Sequence, residues 1–497
     1  MNEVSRPNFV VIMSDQHNPH VMGCAGNTVV RTPNLDRLAR EGVRFTSAYC
    51  PSPLCVPSRM SFMTSMFPSE VEVWDNGGML HSDIPTFAHY LKKAGYETAL
   101  CGRMHFVGAD QFHGFEKRVV ADLKMKDDLS PDTYGTEEAR TTSQTKHAVG
   151  IAGYGKTGYR YYDTMVTKAA CDYLSIHAYA RQPFCLVVGL ILPHNPLICD
   201  KDRFDFYYGA MPQPVLPDEK YLRSLHPAIR TWRLRRGVND ITPQHAHRAL
   251  AAYYGLVSEL DDNVGKIVDA VKASPQSANT ALVYCSDHGD MACEHGLWWK
   301  SCFFEGSAGV PLIVSYPGSA AAGTATDSVV NLMDIGPTLS DLGGGGPMAC
   351  VSGRSLRPLV EGRKTAWTQE TFSEYHGQLG DLPSCMLRSE GWKMMYYHEF
   401  KDAECGPYLL FNLKDDPGEL DDLRGDVRRR AIAKKMEADI LGRWSAERVL
   451  KGIERKVKQT AVMTEYGCDH FPHPLPKHQV PPDENEFDRS QVIPFHS

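Results

Sequence analysis

The sequence NFVVIM at residues 8–13, followed directly by SDQH at residues 14–17, decides the fold class. The apolar run predicts a strand that is buried on both faces, which is typical of a parallel sheet covered by helices. Polar residues at the carboxyl end of such a strand lie where open α/β sheets bind their ligands. The stretch therefore predicts an α/β fold with a functional site at the carboxyl edge of its sheet.

Three further apolar runs also end in polar clusters, and helix-forming segments separate them. Each run and its cluster lie at 98–101 and 102–105 (TALC, GRMH), at 184–190 and 193–196 (FCLVVGL, PHNP), and at 281–285 and 286–290 (ALVYC, SDHGD). This repeated alternation of strand and helix predicts a large, mostly parallel sheet sandwiched by helices. The coincidence of four polar clusters at strand ends indicates one shared site.

The glycine run at residues 343–346 marks a predicted domain boundary. Residues 1–345 are predicted to form the catalytic α/β domain, and residues 346–465 a smaller C-terminal α+β region with antiparallel strands. Residues 466–497 contain several prolines and little periodicity, which predicts an extended Pro-rich tail. Such a tail would lie on this subunit or on a neighbour, where it would allow homo-oligomer contacts.

Two segments carry further predictions of local structure. Residues 120–160 are polar and rich in Thr, Gly and Lys, which predicts a surface insertion. The stretch from about 425 to 460 predicts a single helix at the end of the C-terminal region.

The composition excludes some classes of partner. The net charge of the 497 residues is −7, so no basic face for nucleic acid is expected. No apolar run is long enough to span a membrane, and the polar N-terminus shows no secretory signal. The 14 cysteines are scattered without CxxC spacing, which favours reduced thiols and a cytoplasmic protein. An anionic substrate would therefore need a local positive pocket rather than a global field.

The pentapeptide CVPSR at residues 55–59 precedes a run that can form a helix. Proline favours the first turn of a helix, so Cys55 is expected at the helix N-terminus, where backbone N–H groups and the helix dipole favour an anion. Arg59 adds a permanent positive charge nearby. A buried structural cysteine before an ordinary helix is an equal alternative on these five residues alone.

Asp15, Gln16, Asp287 and His288 follow two of the predicted strands. Two carboxylates, an amide oxygen and an imidazole form a plausible ligand set for a divalent cation: Ca²⁺, Mg²⁺ or, given the imidazole, Mn²⁺. The alternative is that the two aspartates only cap the ends of their strands.

A second set of polar residues suits an anion pocket with acid catalysis. Arg103 and Lys300 can donate to the oxygens of a sulfate or phosphate group, and His105 or His194 can supply a proton to a leaving alkoxide. The alternatives are satisfied structural histidines and, for Lys300, a solvated surface lysine.

These motifs together resemble the type I sulfatases of the alkaline phosphatase-like superfamily, whose C-x-P-S-R signature matches residues 55–59. The resemblance covers roughly residues 7–425, and in detail it looks like the choline-sulfatase branch. The agreeing stretches are IMSDQ at 12–16, TPNLD at 32–36, DIPTFAHYL at 83–91, GRMH at 102–105, DHGD at 287–290 and EHGLWWK at 294–300.

The resemblance implies that Cys55 is oxidised to formylglycine by a formylglycine-generating enzyme, and that the hydrated aldehyde attacks sulfur and displaces the alcohol. It also implies one divalent cation, with calcium expected first and manganese or magnesium as alternatives. The implied metal ligands are Asp15, Gln16, Cys55, Asp287 and His288.

The resemblance further implies the roles of the remaining site residues. Arg59 would hold the formylglycine and its loop, and Arg103 and Lys300 would bind the sulfate oxygens. His105 would assist the elimination of sulfate. His194 is the expected proton donor to the leaving group, with Lys300 as the alternative.

Departures from the family pattern bear on the substrate. Arg103 stands where the family usually has lysine, and the pair Gln16 and His288 also occurs in phosphonate monoester hydrolases. Those enzymes lack the G-K-x-H type motif, so GRMH at residues 102–105 favours sulfate esters. The tail does not look like the choline-sulfatase tail, which leaves the alcohol open.

The expected reaction is hydrolysis of a sulfate monoester of a small molecule or carbohydrate. A phosphonate monoester or phosphodiester hydrolase and a non-catalytic anion-binding protein are the alternatives. Trp74, Asn76 and His81 are expected to line the leaving-group pocket, although Trp74 suits a core position equally well.

Overall fold

The computed structural model describes residues 6–123, 143–377, 381–470 and 489–495. The strands are β1 (Asn8–Asp15), β2 (Val43–Phe45), β3 (Ala48–Tyr49), β4 (Glu97–Gly102), β5 (Lys117–Val120), β6 (Gly153–Tyr154), β7 (Phe184–Pro193), β8 (Ile198–Cys199), β9 (Thr280–Ser286), β10 (Leu312–Ser315), β11 (Thr324–Thr326), β12 (Val330–Asn331), β13 (Glu370–Tyr375), β14 (Ser384–Ser389), β15 (Trp392–Tyr397) and β16 (Tyr408–Asn412). The helices are α1 (Pro33–Glu41), α2 (Cys55–Thr64), α3 (Pro68–Val71), α4 (Phe87–Lys93), α5 (Lys146–Gly150), α6 (Gly158–Ile176), α7 (Lys201–Ala210), α8 (Glu219–Ser224), α9 (Pro227–Arg236), α10 (Pro243–Ala273), α11 (Glu305–Ala308), α12 (Ile335–Gly343), α13 (Arg357–Val360), α14 (Arg430–Arg443) and α15 (Ala446–His470).

The central sheet has eight strands in the order β11-β2-β10-β9-β1-β7-β4-β5. All neighbours pair in parallel except β10, which runs antiparallel to β9 and β2. β1 lies in the middle, with Asn8–Ser14 aligned to Thr280–Ser286 and Asp15 opposite Pro193. The predicted mostly parallel sheet is thus confirmed, and the carboxyl ends of β1, β7 and β9 meet at one edge.

Helices cover both faces of this sheet, and successive side chains of β1 pack alternately into the core on each face. Val10 and Ile12 pack in a core that includes residues of α1, α6 and α10. Phe9, Val11 and Met13 face the opposite core, to which α2, α4 and α12 contribute. Because α2 packs on this second face, its first residue, Cys55, lies beside the carboxyl end of the strand that carries Asp15.

The C-terminal region contains the predicted antiparallel sheet, in the order β13-β14-β15-β16. Met436, Ile440 and Val449 pack on it in a third core. The prediction of one helix from about 425 to 460 is wrong, because α14 ends at Arg443 and α15 begins at Ala446. Trp444 has an extended backbone and is buried in that third core, which turns the chain between the two helices.

The predicted tail is also corrected in part. α15 continues to His470, so residues 466–470 are helical rather than extended. Residues 471–488 lie outside the described residues. The described end of the chain returns to this same subunit, where Phe495 stacks on His245 with ring centroids 4.4 Å apart. Homo-oligomer contacts through the tail stay a prediction.

The predicted surface insertion at 120–160 is wrong for its described second half. Ala148, Val149 and Ala152 are buried in the core that contains α10, because α5 packs against that helix. Residues 124–142 of the stretch lie outside the described residues. No described helix is long and apolar enough to cross a membrane. The described cysteines are free thiols, as their scattered spacing predicted.

A buried histidine makes the stability of this fold sensitive to acid. His226 caps α9, since its Nδ1 accepts from Ala228 N at 3.1 Å while Nε2 contacts Gly406 O at 3.0 Å. Burial lowers the pKa of His226 to about 4. In the unfolded chain the imidazole of His226 binds a proton near pH 6.5, whereas in the folded chain it stays neutral down to about pH 4. The free energy of unfolding therefore falls as the pH drops from about 6.5 towards 4.

We expect the variant His226→Asn to weaken this pH dependence by one proton, because asparagine can still cap the helix but does not titrate. The measurement is the urea midpoint of wild type and variant between about pH 7 and pH 4.5. Parallel curves for the two proteins would contradict the prediction.

Candidate active site

Cys55 begins helix α2, as its sequence context predicted, and all ten residues of that helix are buried. Asn76 Oδ1 accepts the backbone N–H of Val56 at 3.0 Å. Ser58 Oγ donates to the carbonyl oxygen of Asp287 at 2.5 Å, which ties the first turn to the end of β9. Asn76, predicted to bind substrate, thus lies beside Cys55 as a cap of its helix, and its contact with substrate stays a prediction.

Asp15, Cys55, Asp287 and His288 converge as the sequence predicted. One ligand atom from each lies within 4.8 Å of the others, and all four residues are buried. Cys55 Sγ is 3.3 Å from His288 Nε2, which in turn is 3.6 Å from Asp15 Oδ1 and 3.5 Å from Asp287 Oδ1. Burial lowers the pKa of His288 to about 4, so its imidazole is neutral and able to bind a cation.

Gln16 supplies the observation that tests whether a cation fits this cluster. Its Nε2 donates to Asp290 Oδ2 at 2.7 Å and to Asn195 Oδ1 at 3.3 Å. Its Oε1 is buried without a hydrogen-bond partner among the described residues. A buried unpaired carbonyl oxygen is costly unless a cation or another donor meets it. The donor set of carboxylates, amide oxygen and imidazole therefore fits a divalent cation.

Two arginines orient the carboxylates of the cluster. Arg59 donates from Nε to Asp287 Oδ2 at 2.8 Å and from Nη2 to Asp15 Oδ2 at 3.1 Å. Arg103 Nε donates to the same Asp15 oxygen at 2.8 Å. Burial alone would raise the pKa of Asp15, but the charges around it, chiefly Arg103, outweigh burial and hold that pKa well below its usual range. Asp15 is therefore an anion whose Oδ1 faces the cluster.

Arg103 also prepares an anion pocket. Its Nη1 is buried without a partner among the described residues. Its Nη2 donates to His105 Nδ1 at 2.9 Å. Because a guanidinium only donates, Nδ1 must accept, and a neutral His105 carries its proton on Nε2. The close approach of this loop requires Gly189, where a Cβ would lie 1.7 Å from the carbonyl oxygen of Arg103.

Lys300 is a buried site residue and not the surface lysine that the sequence left open. Its Nζ is 2.9 Å from Cys55 Sγ, and the residue is 2% exposed. The flanking residues Trp299 and Ser301 have φ of 60° and 69°, and Ser301 N donates to Pro53 O at 3.0 Å. Burial alone would lower the pKa of Lys300, but nearby negative charges raise it, so its ammonium persists at neutral pH.

His194 lies at the end of β7, where its Nδ1 is 2.6 Å from the carbonyl oxygen of Asn195. A carbonyl only accepts, so Nδ1 carries a proton, and the imidazole must gain a second proton at Nε2 before it can act as an acid. Whether His194 or Lys300 is the proton donor stays a prediction.

Sequence reasoning missed two residues of the site. Asp290 and Asn195 contact the Gln16 amide, although both stand in quoted strand-end clusters, and that position was the signal available. Trp74 packs in the third core, with its ring centroid 5.2 Å from that of His376, which agrees with the core position that the sequence left open.

Comparison with known proteins assigns the family. Residues 7–345 match the family model described as sulfatase. The chain belongs to the sulfatase family. Residues 293–445 of this sulfatase also match the model described as N-sulphoglucosamine sulphohydrolase, C-terminal. The predicted resemblance is confirmed, and the protein is a hydrolase of sulfate esters.

Curated relatives agree over most of their length. The choline-sulfatase of Rhizobium meliloti (strain 1021) is 34% identical over 439 residues, which cover 85% of this sulfatase and 83% of that protein. Arylsulfatase K of Danio rerio is 30% identical, with coverage of 84% and 80%.

Solved structures confirm the fold. The phosphonate monoester hydrolase of Agrobacterium radiobacter superposes with a TM-score of 0.73 at 23% identity, covering 88% of this sulfatase and 95% of that chain. A protein solved with its substrate D-glucosamine-2-N,6-O-disulfate gives a TM-score of 0.69 at 20% identity, with coverage of 90% and 98%. At these identities the structural similarity is evidence for the fold but not for the substrate.

Proposed function

We propose that this sulfatase hydrolyses a sulfate monoester to an alcohol and inorganic sulfate, with Cys55 modified to formylglycine beside one divalent cation. The position of Cys55 Sγ carries the proposal. It lies within 4.8 Å of ligand atoms from Asp15, Asp287 and His288, and 2.9 Å from Lys300 Nζ. A nucleophile placed there would meet both a cation and a second positive charge.

The cation, when bound, would polarise the sulfate oxygens, and the modified Cys55 would supply the nucleophilic hydroxyl. The buried donors of Lys300 and Arg103 would bind the sulfate oxygens and stabilise the charge of the transition state. His194 would protonate the leaving oxygen from Nε2. His105, held by Arg103 at Nδ1, would assist the release of sulfate.

Several finer features belong to the same proposal. Calcium is expected first because oxygen atoms of Asp15, Gln16 and Asp287 dominate the donor set, with manganese or magnesium as alternatives. The relatives named choline-sulfatase and N-acetylglucosamine-6-O-sulfatase support a sulfated small molecule or carbohydrate as substrate. A formylglycine-generating enzyme would modify Cys55. We also propose a cytoplasmic location, which the free thiols support.

Phosphonate monoester or phosphodiester hydrolysis is the second candidate, favoured by the pair Gln16 and His288, which also occurs in phosphonate monoester hydrolases. The stretch GRMH at residues 102–105 argues against it, because those enzymes lack the G-K-x-H type motif. Rates on a sulfate monoester, a phosphonate monoester and a phosphodiester, measured with one preparation, separate the two. A higher kcat/KM on phosphonate than on every sulfate tested would overturn the proposal.

Removal of the cation should abolish sulfate ester hydrolysis, because three carboxylate or amide oxygens and the substrate anion would otherwise face one another. We expect chelated enzyme to regain full activity with calcium or manganese.

Mass spectrometry of the peptide that carries Cys55 should show formylglycine after co-expression with a maturation enzyme. An unmodified thiol in fully active enzyme would contradict the mechanism.

A further inference from the structure

Asp290 is a buried carboxylate that connects the two halves of the site. Its Oδ2 accepts from Gln16 Nε2 at 2.7 Å. Its Oδ1 accepts the backbone N–H groups of Ala292 at 2.7 Å and Trp299 at 3.1 Å. The first contact reaches the predicted cation ligand and the last reaches the residue before Lys300. Asp290 therefore contacts both the side chain expected to bind the cation and the turn that leads to Lys300, which is expected to bind the sulfate.

The contact with Asp290 fixes which way the Gln16 amide points. The oxygen and nitrogen of a glutamine amide are nearly interchangeable in shape, so hydrogen bonds must decide between them. A carboxylate can only accept, so Asp290 selects Nε2 as its neighbour. Asn195 Oδ1 accepts from the same nitrogen. The amide oxygen of Gln16 therefore points away from Asp290, and it is buried there without a hydrogen-bond partner among the described residues.

The chain reaches this arrangement through the tight turn after β9. A Cβ at Gly289 would lie 2.0 Å from the carbonyl oxygen of Gly306, so only glycine fits there. The turn brings Asp290 back beneath Gln16, whose own backbone N–H donates to Asp287 Oδ1 at 3.1 Å. Asp290 and Gln16 are therefore held as a pair by backbone geometry on both strands.

We propose that Asp290 is a positioning residue that keeps the Gln16 oxygen directed to the cation and holds the turn that carries Lys300. The inference rests on the proposed function, because it requires a cation at the cluster. The substitution Asp290→Asn would present an amide nitrogen to Gln16 Nε2, and two donors repel. Gln16 would then turn over and direct its NH₂ group at the cation. The oxygen of the introduced amide would still accept from the backbone N–H groups of Trp299 and Ala292.

The test is calorimetric titration of calcium into chelated full-length enzyme, for wild type, D290N and the double variant D290N/Q16E. We expect D290N to bind calcium about tenfold to hundredfold more weakly, the usual effect of losing a group that orients a ligand. In the double variant, the carboxylate introduced at position 16 can accept from the amide introduced at position 290 and still offer its other oxygen to the cation. We expect calcium affinity within about threefold of wild type.

Asp261→Asn is the matched control. Asp261 is also a buried carboxylate that accepts from a side-chain amide, Asn34 Nδ2 at 2.9 Å, and from a backbone N–H, that of Leu35 at 2.8 Å. These hydrogen bonds cap α1 and do not involve the site residues, so calcium affinity should not change. This control separates an effect on the Gln16 amide from a general effect of losing a buried charge.

The outcomes are distinguishable. Wild type that binds no divalent cation would overturn the proposed function itself. Wild type that binds calcium while D290N binds it equally well would overturn the role of Asp290 alone. A weakened D290N that Q16E does not restore would also overturn it, since a merely structural carboxylate behaves so. If D290N alone does not fold, the double variant D290N/Q16E is compared with wild type. A calcium affinity more than about tenfold weaker than that of wild type would contradict the proposal.

Discussion

Cys55→Ala should abolish sulfate ester hydrolysis and leave the fold intact. The side chain is 1% exposed and begins a helix that Leu54, Asn76 and Ser58 anchor by other atoms, so removing one sulfur leaves those contacts in place. The reaction loses its nucleophile, which in hydrolases with covalent intermediates costs a factor of roughly 10⁵–10⁶. Steady-state rates on a sulfate monoester and the thermal unfolding midpoint measure both halves of the expectation.

The matched control is Cys385→Ala, which removes a buried thiol from β14 in the C-terminal sheet. We expect this variant to retain its activity and to lose some stability, as large-to-small core changes do. Turnover by Cys55→Ala above about one thousandth of the wild-type rate would refute the assignment of the nucleophile.

The positions of the site residues were predictable because parallel strands end at one edge of their sheet. Asp15 ends β1, and Arg103, His194 and Asp287 directly follow β4, β7 and β9, so the register of these strands brings them together. Cys55 was predictable for another reason, since a helix start that carries proline has a fixed geometry. These inferences need only the period of the strands and the order of the chain.

What the sequence did not reveal depends on the direction of side chains in loops. Asn76 caps helix α2 because its loop crosses the N–H of Val56, and no periodicity encodes that crossing. Asp290 turns back under Gln16 only because Gly289 permits a close backbone approach. The break at Trp444 arises from packing in the third core, which overrides a helical pattern.

The site concentrates buried cationic side chains in a negatively charged chain. Three buried cations, Arg59, Arg103 and Lys300, are balanced by three buried carboxylates, Asp15, Asp287 and Asp290, so a bound divalent cation would give the site its excess positive charge. The whole chain carries a net charge of −7. Attraction for a sulfate anion must therefore come from these buried groups at short range, where the low dielectric strengthens them.

Lys300→Met should lower kcat/KM by roughly a factor of 10²–10³, the usual cost of removing one charge-stabilising donor from a site of this kind. Methionine keeps much of the volume of the lysine stem, so the change isolates the ammonium group. Removing the ammonium also leaves the nearby carboxylates of Asp15 and Asp287 with less compensation, so we expect the unfolding midpoint to fall modestly. Steady-state kinetics and thermal unfolding on the same preparation test both expectations.

A second buried lysine provides the contrast. Lys393 Nζ pairs with Glu305 Oε1 at 2.7 Å and Glu419 Oε1 at 2.8 Å, and so joins β15 to the main domain far along the chain from Cys55. Lys393→Met would remove the cation that neutralises the buried Glu419, whereas the half-buried Glu305 would keep the Tyr49 hydroxyl as a donor. This should cost about 3–5 kcal/mol of stability while the folded enzyme keeps its kcat/KM. The two variants should thus differ in kcat/KM, which falls only in Lys300→Met, since Lys300 acts on the substrate and Lys393 acts on the fold. An unchanged kcat/KM in Lys300→Met would remove Lys300 from the residues that bind the sulfate.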